Sequence, residues 1–170
     1  MASTQEQVDA MVARINTAAI GISAEAMPER PARQRFIHAV GVVWVAFNGV
    51  VFAPAAALDY PVQDGVARFE AVLLVRGLNG PKGANSYVDA LQALLHGWAL
   101  PDGRPLSMVD VKFVDHEDGV WRYDLMFSSK VVAVPVTDDS ELEEAPLIKR
   151  LRLESAYSES QLDVPEDPEP

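Results

Sequence analysis

Residues 64–77 set the first constraint on any fold this chain can adopt. Phe69, Ala71, Leu73 and Val75 alternate with Arg68, Glu70, Val72, Leu74 and Arg76. A period of two belongs to a β-strand, whose side chains point to opposite faces in turn. One face of this strand is apolar throughout. The other is charged at its ends and apolar in its middle. A strand of that kind sits inside a sheet, with something covering part of its second face.

The flanking segments supply the partners. Residues 3–17 read as a helix, because Val8, Met11, Val12 and Ile15 recur at helical spacing. Ser3 with Glu6, or Thr4 with Gln7, would close its first turn as a capping box. Ile20–Met27 is short enough to be an extended piece. Residues 38–53 are rich in valine and aromatics and are interrupted by Asn48-Gly49, a pair that tolerates positive φ; the expectation is two strands and a tight turn. Residues 55–62 read as a loop. The punctuated loop LNGPKGANS precedes a second helix over about 84–97, with Val88, Leu91, Leu94, Leu95 and Trp98 as its stripe and Gly97 as its C-cap.

Residues 107–115 and 120–134 form a hairpin. Val109, Val111 and Phe113 alternate with Asp110 and Lys112; Trp121, Tyr123, Leu125 and Phe127 alternate with Arg122, Asp124 and Met126. His116–Gly119 makes the turn. The fold class that follows is α+β: a single, mostly antiparallel twisted sheet with two main helices packed on one face. Residues 1–136 form that domain. Residues 137–170 form an acidic, proline-containing C-terminal extension, expected to be partly docked on a neighbour or disordered.

Charge and composition narrow the function. The net charge is −11 over 170 residues. Residues 138–170 carry 11 acids and 3 bases, net −8, which leaves −3 for the rest. Such a chain is a poor ligand for nucleic-acid phosphates. It contains no cysteine, which excludes disulfides, thiolate metal sites and cysteine nucleophiles. The polar N-terminus MASTQEQVDA lacks the basic region of a signal peptide. The longest apolar runs fall short of the roughly 20 residues that cross a bilayer. These features fit a soluble protein folding in the cytoplasm, with no membrane partner.

Chemistry-bearing patterns are scarce. His38, His96 and His116 show no metal-ligand spacing. His96, near a helix C-terminus, suits a dipole partner better than a catalyst. No nucleophile elbow of the GxSxG kind is present. GLNGPKGANS, with Lys82, has the glycines of a phosphate loop without its residue order; glycines that turn the chain, and a cap from Asn85 or Ser86, explain it better. The acids Asp115, Glu117 and Asp118, and the pair Asp138 and Asp139, read as solvated turns. The expectation is a protein that is not an enzyme and has no catalytic, metal or cofactor site. Arg30, Arg33 and Arg35 lie in one proline-bracketed loop; they are either solvated or a dock for an acidic segment of a neighbouring copy. With Arg68, Arg76, Lys82, Arg122, Lys149, Arg150 and Arg152 they make up the candidate subunit interface.

Three stretches in order, VARFEAVLLVRGLNG, YVDALQALLHGW and RPLSMVDVKFVDHEDGVWRYDLMFSSKVVAV, resemble the Mu-like phage tail terminator family, over roughly residues 5–136. The segment Val120, Trp121, Arg122, Tyr123 after the acidic turn carries most of the likeness. The resemblance implies a virion structural protein of a contractile-tailed phage or a related tail-like particle, assembled in the host cytoplasm. Copies would form a homo-hexameric ring at the head-proximal end of the tail. The ring would end tube and sheath polymerisation and give the head–tail connector a docking surface. The implied partners are the protein itself, the tail tube protein, the sheath protein as a further candidate, and the connector. DNA would pass through the lumen without specific binding. Two alternatives stay open: another head–tail joining or tail-completion protein, and a small-molecule-binding α+β domain.

Overall fold

The computed structural model describes residues 3–29, 36–54 and 62–134. All lie within Met1–Pro135, the first of the two units into which the chain divides. The expected extension over 137–170 and most of the expected loop over 55–62 therefore lie outside the described residues.

The central strand is where its pattern puts it. Strand β3 (Gln63–Val75) lies between β2 (Gly41–Phe52) and β5 (Val120–Ala133) in a five-stranded sheet. The edges are β1 (Ser23–Ala26) and β4 (Ser107–Glu117), giving the order β1-β2-β3-β5-β4. Only β1 and β2 run parallel; the other pairs are antiparallel. Helices α1 (Thr4–Thr17) and α2 (Ala84–Leu95) cover one face. The architecture is thus the expected α+β sheet with two helices on one side.

The core follows from the alternation. Phe69, Ala71, Leu73 and Val75 of β3 are buried beneath Met11 and Ile15 of α1 and Leu91 and Leu95 of α2. Phe47 of β2 meets Phe69 edge to face, with ring centroids 5.6 Å apart. On the opposite face Val72 and Leu74 pack with Val42 and Trp44 under Met27 and Phe36. That small second core is the cover that the apolar middle of β3 requires.

Both helices end by recognisable chemistry. Ser3 and Glu6 form the full capping box of α1. On α2 the expected side-chain cap from Asn85 or Ser86 is absent, because Gly83 is the N-cap. Ser86 instead donates to the Gly80 carbonyl at 2.8 Å, and Asn85 to the Asn79 side chain at 3.2 Å. A Cβ on Gly83 would lie 2.6 Å from the Asn79 and Leu78 backbone, so the tight loop itself demands glycine there. Gly97, at φ +77°, follows the His96 C-cap of α2.

Two expectations need correction. Residues 38–53 do not form a hairpin; 41–52 is one strand. Asn48-Gly49 makes a β-bulge, a register shift between Phe47 and Gly49, with Gly49 at φ +111°. The long β3 is paired on both sides of the bulge, so the positive φ is spent on bending a strand rather than reversing the chain. In β4 the simple alternation also fails. Register shifts between Met108 and Asp110, and between Phe113 and Asp115, turn Val109 out to 60% exposure. Met108, Val111 and Phe113 then stand opposite Phe127, Leu125 and Tyr123. The β4–β5 turn is tighter than the expected His116–Gly119: β4 runs on to Glu117, and Asp118 (φ 51°) and Gly119 (φ 72°) have the paired positive angles of a type I′ turn.

The short edge strand β1 is closed by a side chain. Asn16 on α1 accepts from the Ala24 amide at 2.8 Å and donates to the Ala24 carbonyl at 2.9 Å. Its carboxamide thus does what a neighbouring strand would do. Asn16→Ala should cost about 1–3 kcal/mol, since both bonds are partly buried. Urea unfolding would measure it, and an unchanged midpoint would count against this role.

Candidate functional site

Among the described residues, no three His, Asp or Glu side chains are grouped to hold a metal ion. No helix among them is long and apolar enough to cross a membrane. The features that could act on a partner are the uncovered parts of the sheet.

The histidines serve the fold. His96 Nδ1 accepts from the Met108 amide at 3.1 Å, which ties α2 to the start of β4. His116 stacks on Trp121 with centroids 4.3 Å apart. His38 Nε2 lies 3.9 Å from Glu25, whose carboxylate also accepts from the Trp44 indole at 2.7 Å.

The candidate interface bases do not form one patch. Arg76 is occupied within its own subunit: its Nε donates to the His38 carbonyl at 3.2 Å and its guanidinium lies over Phe36, 4.9 Å from the ring centre. Arg122 forks onto Asp124 at 3.2 and 3.4 Å. Arg68, on β3, and Lys82, in the loop before α2, are exposed and make no ion pair among the described residues. Arg30, Arg33, Arg35, Lys149, Arg150 and Arg152 lie outside the described residues. So do Asp138 and Asp139, whereas Asp115, Glu117 and Asp118 are exposed around the hairpin turn.

The sheet face away from the helices divides in two. Val42, Trp44, Val72 and Leu74 form its covered apolar part. Beside them, Glu70 on β3 neighbours Asp124 and Arg122 on β5. Partial burial raises the Glu70 pKa above its usual 4.5, and the Asp124 charge adds to the rise; Arg122 opposes it, while a side-chain hydrogen bond to Asp124 again favours the protonated form. Sequence reading names Glu70 and Asp124 only as part of the outward half of an alternation, and Arg122 also as an interface candidate, because cross-strand register decides which of them meet.

The sheet edges are guarded unevenly. Asn16 closes β1. On β4, His96 takes the Met108 amide and the Asp110 carboxylate takes the Val111 amide at 2.8 Å. β1 pairs with only Val42–Val45 of β2, with one more bond from the Met27 amide to the Val45 carbonyl at 2.8 Å. Among the described residues, no strand pairs with the outer side of β2 from Ala46 to Phe52. Alongside its start lies an open groove of about 430 Å³, lined by Thr4, Gln5 and Val8 of α1 with Met27, Ala46 and Phe47. This edge is hidden in the sequence, where Asn48-Gly49 signals a hairpin.

A family model described as Gp37 protein matches residues 11–155. No curated protein matches the chain. Among solved structures, the chain is similar to one from a structure titled "Virion of native gene transfer agent (GTA) particle". The identity is 19% and the TM-score 0.45, over 77% of this chain and 92% of that one.

The raised Glu70 pKa has a stability consequence. The folded state holds this proton more tightly than the unfolded state, so its contribution is fully present below about pH 4.5 and is lost as pH rises through the folded pKa. Glu70→Gln should therefore unfold at a higher urea concentration than the wild type at pH 7, with the gap closing towards pH 4. Equal midpoints at pH 7 would rule this out.

Proposed function

The chain belongs to the Gp37 family, and from that premise we propose that it is a non-catalytic structural protein of a phage or phage-like virion. The narrower reading is a tail terminator. Copies close into a ring, taken as a hexamer, at the head-proximal end of the tail tube. The ring ends tube and sheath growth and offers the head–tail connector a surface to join.

The observation that carries this reading is the state of the sheet edges. A subunit that must bind copies of itself head to tail needs two different surfaces that fit each other. Strand edges provide such surfaces, because their backbone groups are already aligned for pairing. Here β4 is eleven residues long and exposed over most of its length, and the outer half of β2 has no strand beside it among the described residues. Apolar side chains stand in the open on both: Val51 is 57% and Phe52 46% exposed on β2, and Phe113 is 46% exposed on β4. The acidic balance of the chain suits a ring lumen through which DNA passes without being held. The extension over 137–170 would act as a strap on the neighbouring copy.

Purified protein should run as a multimer in light scattering and show rings in negative stain, alone or on tail tubes. A particle-producing strain lacking the gene should make tails of uncontrolled length, or tails that fail to join heads. Normal, head-bearing tails in that strain would overturn the proposal.

A further inference from the structure

We infer that the subunits join by β-strand addition, with the second half of β4 in one copy pairing to the open Ala46–Phe52 edge of β2 in the next. This rests on the self-associating reading above and names the surfaces that would carry it.

The guarding of the edges selects the two segments. Exposed strand edges invite pairing with other chains, and folded proteins usually blunt them. This sheet blunts β1 with Asn16 and the first half of β4 with His96 and Asp110. Among the described residues, the stretches without such a guard are Lys112–Glu117 and Ala46–Phe52. The first has six residues and the second seven, so their lengths match to within one position. They stand on opposite edges of the sheet. Joining them therefore continues one sheet from copy to copy, the head-to-tail geometry from which rings are made.

Charge decides against the simpler pairing of β4 with itself. Asp110, Asp115 and Glu117 stand on β4 against a single lysine, Lys112, and no arginine, so a two-fold contact would crowd acids against their own copies. Ala46–Phe52 carries no charge, and neither does any residue lining the groove beside it. A strand bearing both charges and apolar side chains can lie there without repulsion. Phe113, which rests against Trp121 and Tyr123 at centroid distances of 5.7 and 5.4 Å yet stays half exposed, gives β4 an apolar side chain to lay beside the exposed Val51 when the two segments run antiparallel. Each segment also contains a bulge, at Asn48 and at Val114. Bulges bend and twist an edge, as a sheet must if it is to curve into a closed ring.

The test uses the full chain, which has no native cysteine. Val51→Cys and Val114→Cys are made singly and together, and a short bis-maleimide tolerates a register error of one residue. The double variant should give a ladder of covalent multimers. The two single variants mixed should give a linked dimer and nothing larger, and each alone should give none. Val51→Lys, at an exposed site, should keep the far-UV spectrum and weaken self-association by at least about tenfold. Rings in negative stain without a ladder would overturn the edge pairing while leaving the ring standing. Efficient linking of Val51→Cys to itself would overturn it in favour of a two-fold contact. A protein that stays monomeric at every concentration, with or without tail tubes, would overturn both the pairing and the ring.

Discussion

The pairing of β3 with both neighbours is the interaction on which the rest of the structure depends. β3 is matched residue by residue with β5 from Gln63 to Val75 and with β2 from Gly65 to Val75, across one bulge. This continuous pairing satisfies the backbone of a strand that is buried on both faces at its C-terminal end. It also aligns Phe69, Leu73, Leu125 and Phe127 into the surface that α1 and α2 cover. Fully burying an aliphatic or aromatic side chain of this size is worth about 1.5–3 kcal/mol. The helices therefore have no stable place without the strand, and the strand cannot remain dry without the helices.

The same strand divides the molecule into a committed part and an available part. Around the Val75 end, both faces are filled, by the helices on one side and by Trp44, Met27 and Phe36 on the other. Towards the Gln63 end, cover runs out. Val66 is 39% exposed and Val132 is 42% exposed, beside Val51 and Phe52. Small sheets rarely leave a long apolar edge open without using it. The Ala46–Phe52 contact of the proposed assembly lies towards this end, and the Lys112–Glu117 contact lies on the other edge of the sheet, beside Val120–Asp124.

The polar residues show why a search of the sequence for chemistry finds little. His96 and Arg76 hold one element to another, and Asn16 imitates a strand. Glu70 and Asp124 share a sheet face with Arg122, an arrangement that costs the fold some stability at neutral pH without forming a cleft. Each of these side chains is of a type that also serves catalysis, and each is accounted for by what it touches.

Read alone, the sequence determined the elements whose patterns are local. A capping box at Ser3 or Thr4, a turn within His116–Gly119 and the alternation of β3 follow from neighbours a few residues apart, so no distant partner is needed to recognise them, though the structure chose Ser3 with Glu6 and narrowed the turn to Asp118-Gly119. Tertiary structure alone decided the fate of Asn48-Gly49, since a turn and a bulge ask for the same positive φ and only the length of β3 chooses between them. It also decided which outward residues meet across strands, and which edges are guarded. Asn16 and His96 reach backbone groups eight and twelve residues away. No periodicity marks such contacts, because they depend on where helices and strands come to rest against each other.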